Sequence, residues 1–309
     1  MSAEKNAIKT HNLTKNFGNR VAVNNENIEI KQGEIFSLLG TNGAGKTTTI
    51  KMLCCLLQPT SGNATVMGFD TRKNPLKIKS LIGVSPQETA IATRLTTWEN
   101  LMLMGGVFGL SRSESKKRAK NLMEIMELED RKDLSKKLSG GLKRRLSIAM
   151  ALMSDPEILF LDEPTLGLDP HARKSVWNYI EKLKKEKTIL LTTHYLEEAD
   201  SLADRIAIMD EGKIIESGTS YELKQRFSGK QILRITGENI SGEILEMLNK
   251  KGLETNVIHS GIEIKSPELD FYSIIEILKQ KKVIIKGIQM KGPTLEEVFL
   301  KLTEKEAPK

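Results

Sequence analysis

The apolar positions of the chain change period several times. Ile8 to Lys15 and Val21 to Lys31 alternate apolar and polar residues, the pattern of half-buried strands. Ile35-Phe36-Ser37-Leu38-Leu39 and Ile158-Leu159-Phe160-Leu161 are short apolar runs, which suit strands covered on both faces. Elsewhere the period lengthens to that of a helix. Thr48 to Leu57 puts Ile50, Leu53 and Leu57 on one side, and Leu142, Leu146, Ile148, Ala149 and Leu152 mark another helix. Thr97 to Met126 reads as two helices, with Thr97 as the first cap, Glu99 in the first turn and Ser111 starting the second.

After Ser220 the pattern is different. Arg226-Phe227-Ser228-Gly229-Lys230 reads as a hinge, followed by a strand (Gln231 to Ile235), a helix (Gly242 to Lys250), two strands (Thr255 to Ile258, Ile262 to Ile264), a helix (Leu269 to Gln280) and a strand (Val283 to Met290). That βαββαβ order predicts a split ferredoxin-like α+β domain behind a larger α/β domain. An amphipathic helix closes the chain, with Pro293 and Thr294 at its start. A length of 309 residues suits two domains, drawn here at residues 1–226 and 227–309.

The strongest chemical signal is Gly40-Thr41-Asn42-Gly43-Ala44-Gly45-Lys46-Thr47, which lies between the Ile35 strand and the Thr48 helix. It fits G-x-x-x-x-G-K-[ST]: glycines let backbone N–H groups face a polyphosphate, and the helix N-terminus adds partial positive charge. Lys46 is expected to reach the β- and γ-phosphates and the Thr47 hydroxyl to bind Mg²⁺. The Ile158 run ends in Asp162-Glu163-Pro164. A strand beside the phosphate loop carries its terminal acids to the same sheet edge, which suits Asp162 to hold Mg²⁺ and Glu163 to act as general base toward water. Ser139-Gly140-Gly141 opens the Leu142 helix and offers a hydroxyl with free backbone donors, a second anion-grade helix end.

Composition narrows the classes. The only cysteines, Cys54 and Cys55, are adjacent; they supply neither a disulfide framework nor a tetrahedral metal site and are read as small buried apolar residues. The net charge of +7 is spread over short clusters such as Lys136-Lys137 and Lys143-Arg144-Arg145 with few aromatics for stacking. Solvated helix faces explain these clusters better than a nucleic-acid footprint, so no specific nucleic acid is expected. Met1 to Lys15 has no apolar segment of a secretory signal, and the least polar window, Leu101 to Leu110, is far shorter than the roughly 20 residues that cross a bilayer. A soluble, cytosolic polypeptide is expected.

In this order, the motifs from about Ile8 to Tyr221 resemble the ATP-binding subunit of ATP-binding cassette (ABC) transporters, in particular the drug, multidrug and polysaccharide export branch. The resemblance implies a phosphate-loop cassette with a mixed core sheet, an antiparallel edge sheet and a helical subdomain at about residues 90–155. It implies ATP and Mg²⁺ as cofactors, with the phosphates wrapped by Gly40 to Thr48, Thr48 included. Phe17 matches the aromatic that stacks on adenine, with a simple core Phe as the less favoured alternative. Gln87 matches a loop glutamine that touches Mg²⁺ and water and relays the state of the site to a membrane permease. Asp169 matches a loop that crosses to a second cassette, and also fits a helix N-cap before Pro170. His194 matches a histidine that contacts the γ-phosphate. Leu142 stands where the family commonly has Gln, and Thr41 where it commonly has Pro; exporter-type members often carry an apolar residue at the first position.

The same resemblance implies a dimer of cassettes, formed by two copies or with a close paralogue, at the cytoplasmic face of the cell membrane and bound to transmembrane permease subunits. The expected reaction is ATP hydrolysis coupled to transport, with export the expected direction. The methionine-rich stretch Leu101 to Phe108 suits either the permease or internal packing. A soluble cassette ATPase of ribosomes or nucleic acid is the alternative, but a single phosphate loop and no room for a coiled coil weigh against it. Retention of Glu163 and His194 weighs against a non-hydrolysing regulator.

Overall fold

The alternating N-terminal stretches pair as β1 (Asn6–Phe17), β2 (Arg20–Glu26) and β3 (Glu29–Lys31), with Gly18 in the left-handed region at the turn between the first two. The computed structural model describes residues 5–128, 133–184, 186–227, 231–266, 269–292 and 294–303. Next come β4 (Ile35–Leu39) and α1 (Lys46–Leu53). The helical period predicted α1 to Leu57, but the helix stops four residues earlier. Cys55 turns left-handed at φ +56°, and the N–H groups of Leu56 and Leu57 both return to the Lys51 carbonyl. That closure turns the chain back so that β5 (Ser61–Val66) pairs with β1, and Leu57 packs on the core from outside the helix. Cys54 is buried and Cys55 half-buried; burial pushes both thiols up, as suits apolar filling.

β6 (Phe69–Asp70), α2 (Pro75–Lys79) and β7 (Ile82–Ser85) lead to the helical pair α3 (Thr97–Val107) and α4 (Arg112–Ile125). Thr96, one residue before the cap that the pattern predicts, begins α3. Its hydroxyl accepts the Glu99 N–H while the Glu99 carboxylate accepts the Thr96 N–H, a reciprocal box that Thr97 has no geometry to make. Ser111 caps α4 through the same arrangement with Glu114. There follow α5 (Gly140–Leu152), β8 (Ile158–Asp162), α6 (Pro170–Lys182), β9 (Thr188–Thr193), α7 (Leu196–Leu202), β10 (Arg205–Asp210), β11 (Lys213–Gly218) and α8 (Ser220–Phe227).

The core sheet runs β11-β10-β4-β9-β8-β7, parallel except for β11, and the edge sheet runs β2-β1-β5-β6 with β3 also on β1. Side-chain alternation divides the core in two. Ile35, Leu159, Leu161, Ile189 and Leu191 join residues of α3 to α6, whereas Phe36, Leu38, Ile158, Phe160 and Leu190 join α1 and the edge sheet. Both faces of the central strands are covered, which accounts for their unbroken apolar runs.

The chain divides into two compact units, Met1–Ser220 and Tyr221–Lys309. The sequence-based boundary lies at the other end of α8, and Ser228 to Lys230 of the expected hinge fall outside the described residues, as does Pro293. The second unit contains β12 (Gln231–Glu238), α9 (Gly242–Lys250), β13 (Glu254–Ile258), β14 (Gly261–Ser266), α10 (Phe271–Gln280), β15 (Ile284–Lys291) and α11 (Leu295–Thr303). Its sheet has the order β13-β14-β12-β15 with antiparallel neighbours, and Ile244 and Leu248 of α9 with Ile274, Ile277 and Leu278 of α10 bury Leu233, Ile235, Ile262 and Ile264.

Candidate functional site

The carboxyl ends of β4, β9, β8 and β7 converge on one edge of the core sheet, where open α/β sheets place ligands. Leu39 pairs with Thr193 and Asp162 with Thr192, so the phosphate loop, the acidic pair and His194 leave adjacent strands at the same level. The loop is held between two walls. A side chain on Gly40 would come 2.2 Å from the Met209 carbonyl oxygen, and one on Gly45 would come 2.5 Å from that of Ala22. Gly45 also sits at φ +116°, which suits glycine and turns the chain into α1.

Lys46, 5% exposed, donates from Nζ to the carbonyls of Gly40 (2.7 Å) and Thr41 (3.1 Å) and pairs with Glu163 Oε1 at 3.1 Å. Glu163 Oε2 lies 2.7 Å from His194 Nδ1. Asp162 Oδ1 accepts the hydroxyls of Thr47 (3.0 Å) and Thr192 (2.6 Å), and the Thr192 hydroxyl in turn accepts the Glu163 N–H. Glu163 adopts φ +50°, a left-handed conformation that costs a non-glycine residue on the order of 1 to 3 kcal/mol and is a recurrent mark of functional positions. A buried carboxylate at the border of the phosphate-loop cavity is a candidate for a general base.

A cavity of about 310 Å³ opens beside these groups, lined by Asn42 to Thr48 with Phe17, Arg20, Gln87 and Glu163 among others. Phe17 is half exposed, with Lys15 Nζ 5.2 Å from its ring centre, so the core-residue alternative does not describe it. Gly40 and Thr41 hold Lys46 through their carbonyls and do not line the cavity.

Ser139, Gly140, Gly141 and Asp169 stand apart from the cavity. Ser139 caps α5 by accepting the Leu142 N–H at 3.3 Å, and both Ser139 and Gly140 are exposed. Gly141 is buried against Ala172 of α6. Asp169, also exposed, caps α6 by accepting the N–H groups of His171 and Ala172, each at 3.0 Å. The chain therefore presents two anion-grade surfaces that it does not itself bring together.

Two participants were missed by the sequence reading. Thr192 carried no signal beyond its place at a strand end. Arg144 belongs to a basic cluster assigned to a solvated face, yet it is 4% exposed. The helix period turns it inward, where its guanidinium donates to the backbone carbonyls of Pro86, Asp162, Glu163 and Pro164.

The oxygens of Thr47 and Asp162 are hard donors that suit Mg²⁺, with Gln87 at the cavity rim as a third. Among the described residues no group of three or more His, Cys, Asp or Glu could hold a metal, and a cation that shares its shell with phosphate oxygens needs no such cage.

Behind the loop, the Thr49 hydroxyl of α1 donates to Glu26 Oε2 at 2.6 Å, while Glu26 Oε1 is buried without a partner. Burial pushes the Glu26 carboxyl up to about 7, against the opposing pull of the Thr49 bond. Because the folded value exceeds the unfolded one, the unfolded carboxyl ionises first and stability falls as pH rises from about 4.5 to about 7. Glu26→Gln is expected to remove this part of the pH dependence. The melting temperature of the wild type should drop more than that of the variant between about pH 5 and about pH 7.5, and equal drops would contradict the assignment.

The ABC transporter family model matches residues 23–166. The linearmycin resistance ATP-binding protein LnrL of Bacillus subtilis is 37% identical over 304 residues, covering 96% of this chain and 98% of that protein. The Nod factor export ATP-binding protein I of a Rhizobium species is 36% identical, covering 99% of each chain. Among solved structures, the dimeric, post-hydrolysis form of the ATP-binding cassette MJ0796 bound to ADP and Pi is 31% identical, with a TM-score of 0.63 over 69% of this chain and 98% of that one. Full-length similarity at this level, with the phosphate loop and acidic strand end in register on one sheet edge, places the chain in the ABC transporter family as an ATP-hydrolysing subunit.

Proposed function

We propose that two cassettes, two copies of this chain or this chain and a close paralogue, clasp two ATP molecules head to tail and use their hydrolysis to drive export through a separate membrane permease. The observation that carries this reading is the separation of Ser139 and Gly141 from the cavity that holds Lys46 and Glu163. An exposed helix end built for anions, outside its own chain's site, is suited to cap the γ-phosphate held by a partner. The name of the Rhizobium relative refers to export and that of the Bacillus relative to antibiotic resistance, both in keeping with an exporter role.

In this reading Phe17 stacks on adenine, the loop N–H groups from Asn42 to Thr48 cradle the phosphates, and Lys46 leaves its carbonyl partners to bind the β- and γ-oxygens. Glu163 accepts a proton from water at a carboxylate oxygen, while His194 holds the carboxylate and reaches the γ-phosphate. Thr47, Asp162 and Gln87 are placed to hold Mg²⁺, which supplies charge neutralisation of the transferred phosphoryl group. Both surfaces bind the γ-phosphate, so its loss removes the differential contact that favours the closed pair. Asp169 lies on the surface that faces the partner.

Beside Gln87, a groove of about 360 Å³ whose lining includes Val84, Pro86, Met104, Phe108 and Met150 is mainly apolar, a surface suited to a short permease helix. No helix among the described residues is long and apolar enough to cross a membrane, and the proposed location is peripheral, on the cytoplasmic face.

Ser139→Arg tests the clasp. The variant is expected to bind ATP as a monomer and to fail to dimerise; ATP-dependent dimers seen by light scattering in a hydrolysis-blocked background would refute the proposed surface.

A further inference from the structure

Arg144 uses its guanidinium in an unusual way for a buried cation: among the described residues its hydrogen bonds go to main-chain carbonyls and none goes to a carboxylate. Nε donates to Pro164 O at 2.7 Å, Nη1 to Pro86 O at 2.5 Å with a longer contact to Gln87 O at 3.4 Å, and Nη2 to Asp162 O at 2.6 Å and Glu163 O at 2.5 Å. The planar fork of N–H donors is thereby filled from two loops. One carries Gln87, and the other carries the acidic pair. Arg144 itself stands on α5, one helical turn beyond Gly140, so the same helix that presents Ser139 at its N-terminus also holds both loops.

The carbonyls it grips include that of Glu163, the residue held at φ +50°. A left-handed non-glycine residue persists only where its surroundings over-determine it, and here the Glu163 N–H is fixed by Thr192 while its carbonyl is fixed by Arg144. Burial pulls the guanidinium down to about 10 and the carboxylates of Asp162, Glu198 and Glu163 oppose that, so Arg144 remains a cation at neutral pH.

We propose that Arg144 is a positioning residue for hydrolysis: by holding the Glu163 carbonyl and the Pro86-Gln87 carbonyls on one rigid fork, it aims the Glu163 carboxylate and links that aim to the position of the signature helix α5 and of the Gln87 loop. The inference rests on the reading of Glu163 as the base. A lysine in its place keeps the charge and loses the planar fork, so charge and geometry separate experimentally.

The test is a double-mutant cycle read by single-turnover ATP hydrolysis with the protein in excess. Arg144→Met is expected to slow hydrolysis about a hundredfold, as small misplacements of a reacting group do, with ATP affinity within about threefold of wild type. Arg144→Lys, the variant to rely on if the Met form does not fold, is expected to slow it roughly tenfold. In a Glu163→Gln background either change should cost less than about threefold more, because a residue that acts through Glu163 has nothing left to position. Either single variant at the wild-type rate overturns the proposal, and so does a full multiplicative loss in the double variant, which marks a merely structural role. Full turnover by Glu163→Gln alone would remove the base reading, and the inference with it, whatever the Arg144 variants do.

Discussion

Glu163→Gln is expected to slow ATP hydrolysis by at least about a hundredfold while ATP binding stays within about threefold of wild type. The change conserves volume and leaves an amide where the carboxylate lies, 3.1 Å from Lys46 Nζ and 2.7 Å from His194 Nδ1, so the loop and the histidine keep a neighbour of the same shape. What is lost is the capacity to accept a proton from water. Because the residue is 4% exposed, bulk solvent offers no ready substitute at that position. Phosphate release measured beside an equilibrium nucleotide titration separates the two quantities, and near-normal turnover would refute the role. A variant that binds and does not hydrolyse should also accumulate the ATP-clasped pair.

The second large effect is expected at the other end of the same ion pair. Lys46→Ala should weaken ATP binding by roughly a hundredfold, the scale of a lost charge-assisted bond to a phosphate. It also strips Glu163 of a buried cation and the Gly40 and Thr41 carbonyls of a donor. Removing one partner of a buried pair costs about 3 to 5 kcal/mol, so a lower melting temperature should accompany the loss of affinity. Calorimetric titration at a temperature where the variant is still folded isolates binding, and an unchanged isotherm would count against the phosphate-loop assignment.

What was legible in the sequence is what main-chain geometry forces into residue type. Gly45 is glycine because φ +116° and the Ala22 carbonyl leave no alternative, and Asp162-Glu163 ends an apolar run because a parallel strand delivers its terminus to the sheet edge. The βαββαβ order after residue 230 was visible for a similar reason, each helix showing one apolar stripe.

Tertiary decisions were not legible. The end of α1 is set by the need of β5 to reach β1, a contact with no local trace at Leu53. Glu26 lies in an alternating segment whose polar members are expected at the surface, and only the packing of the edge sheet on α1 shows it to be buried. Arg144 looked like one of three consecutive cations. Its neighbour Arg145 sits near Tyr179 and the Met126 carbonyl, while Arg144 alone enters the space under Asp162 and Glu163. Charge clusters record composition along the chain, whereas burial depends on which of the three faces inward.

The walls around Gly40 and Gly45 have a practical meaning for anyone who wishes to change what the loop accepts. Both ends are clamped by carbonyls of other segments, Met209 on one side and Ala22 on the other, and any side chain there collides with main chain that cannot retreat. Thr41 and Asn42, by contrast, are exposed, and Asn42 lines the cavity. Re-engineering toward a modified nucleotide thus has one adjustable loop letter at the cavity, Asn42, and the exposed ring of Phe17, proposed to stack on adenine, is the more promising lever.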